Sequence, residues 1–182
     1  TNIAISVNKT LDGQAYSGSK FVYTLTGLES MDTTKPDADG KPIKTNSAKT
    51  ISTNLETPDK NGKVEFKNLK LVTAGVYRFK ITEALAEGEN ASDYKMDTNT
   101  WLAEIEFLEG GEVTPPKYIK VKNSDIEGKT DAQLATYFNN SSPVEKAVFE
   151  NETTHGSATV NKKNQTGGNV SDTEFAVMKV SE

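Results

Sequence analysis

The chain of 182 residues contains no cysteine and one histidine. Without cysteine there is no disulfide, no thiol nucleophile and no zinc-thiolate site. His155 alone cannot assemble a multi-histidine metal centre, and a hydrolase triad would have to centre on it. It lies in Thr-Thr-His-Gly-Ser, a linker composition in which an imidazole is simply solvated. No apolar run approaches the ~18 residues that span a bilayer, so no membrane insertion is expected, and neither a secretion signal nor an anchor is visible. A basic excess is lacking too: 21 Lys and Arg stand against 26 Asp and Glu, a net charge of -5, which argues against a nucleic-acid surface. Hydrophobic residues reach only 34%, yet seven Phe, six Tyr and one Trp supply enough large apolar surface for a core. The length allows one complete domain and part of a second.

What is present has a period of two. Ile3, Ile5 and Val7 alternate with Ala4, Ser6 and Asn8; Phe21, Tyr23 and Leu25 with Val22, Thr24 and Thr26; Val64 and Phe66 with Lys63, Glu65 and Lys67. Tyr77, Phe79 and Ile81 repeat the rhythm, as do Trp101, Ala103, Ile105 and Phe107 against Leu102, Glu104 and Glu106, then Ala147 and Phe149, then Ala158 and Val160. Half-buried strands have this pattern. Asp12-Gly13, Asp39-Gly40, Asn61-Gly62, Gly110-Gly111 and Gly167-Gly168 punctuate them as turns. The expected fold is all-β, a mainly antiparallel sandwich. One short crossover helix is expected over Asp131 to Phe138, capped by Thr130. Met31 to Lys60 reads as a polar surface excursion with a short edge strand around Thr50 to Asn54.

Ile5-Ser-Val-Asn-Lys9 is echoed by Ala158-Thr-Val-Asn-Lys162, and each copy is followed by a Gly-containing loop and another strand. The expected organisation is a domain over 1–153, a linker over 154–157, and over 158–182 the start of a second, truncated domain in which Lys162 takes the place of Lys9.

Side chains at i and i+2 share a strand face, and three polar residues fall where apolar ones are due. Lys9 continues the face of Ile3, Ile5 and Val7; Glu83 that of Tyr77, Phe79 and Ile81; Asn151 that of Ala147 and Phe149. Taken singly, each reads as a wet strand end. Together they have a chemical alternative. Burial lowers a lysine's pKa and raises a carboxyl's, which leaves a neutral, nucleophilic amine. With Glu83 relaying protons, the Lys9 amine can displace ammonia from the Asn151 carboxamide and leave an isopeptide bond.

The segments VNKTLDG, FVYTLTG, GKVEFKNLKLVTAGVYRFKITE, YKMDTNTWLAEIEF and VFENETTHGSATVNKK resemble the N-terminal domain of Gram-positive major backbone pilins of the streptococcal T-antigen type. The resemblance runs from about Asn2 to Val180 and is weakest over Thr33 to Asn61 and Asn123 to Val144. Its most specific parts are Ile81-Thr82-Glu83, similar to the family's glutamate box, and Phe149-Glu150-Asn151. It implies an immunoglobulin-like sandwich of the collagen-adhesin B type, a Lys9 to Asn151 isopeptide bond assisted by Glu83, and no cofactor. It further implies a secreted, cell-wall-attached pilus subunit whose partners are other pilin subunits, joined by sortase-made covalent links. The family's linkage lysine lies shortly before the last strand, which points to Lys146; an edge lysine that limits aggregation reads the same way. No LPxTG-like motif occurs, so the chain is expected to be a fragment or a repeat of a longer surface protein.

Two other functions compete. Calcium binding would use Asp37, Asp39 and Gly40, or Asp59, Asn61 and Gly62, but both runs lack the further acidic ligands of a calcium loop and read better as turns. A cell-wall-anchored adhesin could share the sandwich and bind host protein or glycan through the 31–60 loop. For an enzyme acting on an outside substrate the sequence offers little.

Overall fold

A computed structural model of the chain describes residues 3–28, 54–71 and 74–154. Strand β1 (Ile3–Leu11) buries Ile3, Ile5, Val7 and Lys9 and exposes Ala4 and Asn8, as the two-residue repeat requires. Asp12 and Gly13, at φ of 51° and 78°, turn the chain into β2 (Gln14–Ala15). An Asp-Gly pair suits such a tight hairpin because both positions take positive φ. Then follow β3 (Phe21–Gly27), β4 (Asn54–Glu56), β5 (Lys63–Leu69), β6 (Gly75–Leu85), β7 (Tyr94–Lys95), β8 (Asn99–Phe107), β9 (Lys117–Lys122) and β10 (Val148–Thr153).

The strands form two sheets. In one the order is β2-β1-β10-β7, with β5 also paired to β1; the other is β4-β3-β6-β8-β9, antiparallel throughout. β1 and β10 run parallel, with Lys9 opposite Phe149 and Leu11 opposite Asn151. β5 covers β1 from Ile3 to Asn8, and β2 takes over at Thr10. The change of partner falls on Lys9, whose N–H donates to Gly62 O at 2.7 Å and whose carbonyl accepts from Tyr16 N at 3.0 Å. Gly62 has φ of 76°, and a Cβ on it would stand 2.6 Å from Lys9 O, so only glycine lets the turn close on this backbone.

Between the sheets, Ile5, Val7, Phe66 and Phe149 face Phe21, Tyr23, Phe79 and Ile81, all buried. Two hydrogen bonds cross the gap: Trp101 Nε1 donates to Val148 O at 3.1 Å and Tyr118 OH to Ser6 O at 2.6 Å. The result is an immunoglobulin-like β-sandwich, as expected.

Three details depart from the sequence expectations. The crossover carries three short helices instead of one, α1 (Asn123–Ile126), α2 (Asp131–Ala135) and α3 (Tyr137–Asn140). Thr130 caps α2 in a reciprocal box with Gln133, but the Thr136 hydroxyl donates to Gln133 O at 2.6 Å and interrupts the helix before Tyr137. Leu102, which alternation places outside, is buried with Leu28, Ile119, Val121 and Leu134. The helices therefore roof the outer face of the second sheet. That roof also explains why β9 escapes the period-two reading: Tyr118, Ile119 and Val121 are buried on both of its faces. The edge strand expected around Thr50 to Asn54 overlaps β4 (Asn54–Glu56) at Asn54, and residues 50–53 lie outside the described residues.

Candidate functional site

Lys9 on β1, Glu83 on β6 and Asn151 on β10 converge at one end of the core. Lys9 is 0% exposed, the Glu83 side chain 3% and Asn151 1%. The wet-strand-end reading therefore gives way to burial. β1 and β6 belong to different sheets, and Lys9 Nζ crosses the gap to lie 2.8 Å from Glu83 Oε2. Tyr23, directly opposite Glu83 in the β3–β6 ladder, donates its hydroxyl to the same oxygen. Among the described residues Glu83 Oε1 has no hydrogen-bond partner, and Lys9 Nζ has no polar partner besides the Glu83 contact. The ammonium instead lies 4.4 Å from the centre of the Phe21 ring.

Such a pair is electrostatically tense. Desolvation by burial pushes the Lys9 ammonium below the ordinary lysine value, opposed by Glu83 and, more weakly, by Asp97 and Glu150. Burial, reinforced by Glu83, drives the Tyr23 phenol well above its ordinary value, so the hydroxyl keeps its proton and stays a donor.

Asn151 reaches this place because β10 follows β1 in parallel, one pair beyond the Lys9 position on the same face. With strands ~4.8 Å apart and a rise of ~3.3 Å per residue, such diagonal neighbours have Cα atoms roughly 8 Å apart, within reach of a lysine stem. The turn between β7 and β8 holds the carboxamide. Asp97 N donates to Asn151 Oδ1 at 2.7 Å, and Asn151 Nδ2 lies 3.3 Å from Met96 Sδ. Asp97 is fixed in turn: its Oδ1 accepts from Asn99 N and Nδ2 at 2.9 and 2.8 Å, and its Oδ2 from Glu150 N at 2.9 Å. A nucleophilic amine, a carboxylate in contact with it and an oriented carboxamide are the ingredients of amide transfer.

Sequence patterning did not single out Tyr23, Met96 or Asp97. Tyr23 lay within an alternating strand, and its phenol was the signal, because a buried Tyr needs a partner for its hydroxyl. Asp97 contributes a backbone N–H from a turn, for which no side-chain pattern exists. Lys146 is exposed just before β10 and stands apart from the cluster. Asp59 uses its carboxylate within a turn, accepting from Asn61 N at 2.8 Å and Lys63 N at 3.0 Å. His155 and Lys162, like Asp37 and Asp39, lie outside the described residues.

Two five-stranded sheets face to face, with β1 and β10 adjacent and a buried Lys-Glu pair between the layers, define an immunoglobulin-like sandwich with a polar core site. Residues 5–154 match the family described as FctA, Spy0128-like isopeptide containing domain, and the chain belongs to that family. Among solved structures it is similar to the major pilin protein T-13 of Streptococcus pyogenes serotype GAS131465, at 17% identity and a TM-score of 0.46, over 84% of this chain and 53% of that one. It is also similar to a point mutant of the major pilin of Streptococcus pyogenes, at 16% identity and a TM-score of 0.44, over 84% of this chain and 50% of that one. The chain thus spans about half the length of these pilins. No curated protein matches it.

Proposed function

We propose that the chain is a structural domain of a cell-surface pilus subunit, held closed by an autocatalytic isopeptide bond between Lys9 and Asn151. The carrying observation is a fully buried lysine whose ammonium has one polar partner, Glu83, beside an oriented carboxamide on the neighbouring strand. Membership of the isopeptide-containing family supports the same reading. In the reaction Glu83 takes a proton from Lys9, the freed amine attacks Asn151 Cγ, and Glu83 passes that proton and the second one shed by the attacking nitrogen to Nδ2, which leaves as ammonium ion. One fold holds all the reactants, so proximity supplies most of the rate. The chemistry turns over once and acts on no outside substrate.

The bond would close a loop of about 140 residues, removing roughly 4 to 5 kcal/mol of unfolded-state entropy if it behaves as a disulfide does. Because β1 and β10 are parallel neighbours, force entering at one would leave through the other without loading the strands between. In this reading exposed Lys146 is the lysine through which a sortase joins subunits, and the domain over 1–153 is followed by a linker and a second domain begun at 158, with Lys162 in the role of Lys9. The direct test is a tryptic map of the purified chain: a branched peptide joining Lys9 to Asn151 is expected, absent from Glu83→Ala. Separate, unmodified peptides carrying Lys9 and Asn151 would overturn the proposal.

A further inference from the structure

One turn holds both ends of the Asn151 carboxamide. Asp97 N–H sits on Oδ1 at 2.7 Å, and Met96 Sδ, a weak acceptor, is the neighbour given to Nδ2 at 3.3 Å. The oxygen end accepts a short N–H hydrogen bond, whereas the nitrogen end donates only to a weak sulfur acceptor. That is the polarity amide transfer needs, because negative charge grows on the oxygen while the nitrogen has to leave. The Asp97 carboxylate fastens the N–H in place by bridging the start of β8, through Asn99, to β10, through Glu150. A donor aimed in advance at a developing oxyanion is worth far more than one recruited during the reaction.

We propose that Asp97 is a positioning residue for the crosslinking reaction: its backbone N–H stabilises the oxyanion formed on Asn151 Oδ1, and its carboxylate holds that N–H on target. The inference rests on the crosslink reading above. As the Lys9 nitrogen bonds to Asn151 Cγ, the carbonyl π pair moves onto Oδ1. When the pair returns, the Cγ–Nδ2 bond breaks, and Nδ2 leaves with its own two hydrogens and the two protons given up by the Lys9 ammonium, departing as ammonium ion. No other reactant is needed.

Asp97 has a second influence of opposite sign. Lys9 is faced by Glu83 from β6, Tyr23 from β3, Glu150 from β10 and Asp97 from the turn, and the Asp97 charge helps keep the amine protonated. Removing that charge alone moves the pH-rate profile to lower pH, whereas losing the positioned N–H lowers its high-pH plateau. A merely structural role moves neither at temperatures well below unfolding.

The test uses the full chain kept in denaturant from synthesis, diluted into buffers across a pH series, with folding followed by Trp101 fluorescence and crosslinking by intact mass. Asp97→Ala is expected to lower the plateau at least tenfold, toward the ~100-fold typical of losing one oxyanion donor. Asp97→Asn, which keeps a carbonyl acceptor for the turn, restores most of the plateau with the profile shifted to lower pH. A wild-type plateau in Asp97→Ala, or an Asp97→Asn plateau as low as that of Asp97→Ala, overturns the inference. If Asp97→Ala fails to fold, replacing the 96–97 amide by an ester in the full chain decides: the same plateau loss sustains the inference and a normal plateau ends it. A wild-type chain that folds and never loses mass removes the crosslink reading and this inference together. Crosslinking in the wild type at a rate shared by all variants removes this inference alone.

Discussion

Strand β6 carries two ion pairs, one on each face, and they are built for different ends. On the outer face Arg78 lies directly opposite Glu104 of β8, with Nε 2.7 Å from Oε2 and side chains 9% and 23% exposed. Its Nη1 donates to Ala135 O at 3.0 Å, and its guanidinium lies 5.2 Å from the Phe138 ring, so one side chain ties α2 and α3 to the sheet. An arginine is always charged, and this one has partners for its fork. On the inner face the Lys9–Glu83 pair is drier, leaves Glu83 Oε1 without a partner among the described residues and uses a basic side chain that, unlike arginine, burial can neutralise. Both charges of the first pair are matched by partners, whereas the second leaves a carboxylate oxygen without one among the described residues. In the crosslink reading, the difference between the pairs lies not in proximity of charge but in what the fold withholds from the inner one.

This contrast can be broken by substitution. The largest effect is expected for Glu83→Ala, which strands the Lys9 ammonium at about 3 to 5 kcal/mol. Through the lost crosslink it also forfeits roughly 4 to 5 kcal/mol more by the disulfide analogy, as denaturant titration against the wild type would measure. A titration of Asn151→Ala against pH tests the state of Lys9. This variant keeps the pair without the bond, and because burial holds Lys9 below the ordinary lysine value, the unfolded chain binds more protons in the window between the two values. Stability therefore rises with pH through that window and levels off above it. Arg78→Ala should cost only about 2 kcal/mol, from lost charge-assisted hydrogen bonds, and should leave the crosslink intact by mass. Removing the α2 cap with Thr130→Ala is expected to cost about 1 kcal/mol by thermal denaturation, again with the crosslink unaffected. Lys67→Ala, which loosens an exposed contact with Glu65, should change stability by less than ~0.5 kcal/mol.

The buried trio was legible because a strand writes its faces into alternate residues: Lys9, Glu83 and Asn151 each continue an apolar face, and each is buried there. The outer half of the molecule was less legible. Leu102 reads as a solvent-face residue until the crossover helices cover it, and no local pattern in β8 or β9 announces a roof supplied by residues 123–140. Tyr23 was visible as an inward aromatic, but its bond to Glu83 depends on the β3–β6 register, which only pairing fixes. Asp97 had no signature, since its contribution is a main-chain N–H whose direction is set by a turn. Strand chemistry is periodic and can be read; turn chemistry depends on where the chain is brought, and cannot.

The most direct measurement is the intact mass of the folded, purified chain. Condensing the Lys9 amine with the Asn151 carboxamide expels ammonia, so the chain should weigh about 17 Da less than its sequence requires, with the full mass restored in Lys9→Ala, Glu83→Ala or Asn151→Ala once the substitution is accounted for. A folded wild-type chain at its full sequence mass would contradict the account and leave Lys9, Glu83 and Asn151 as a buried polar cluster without chemistry.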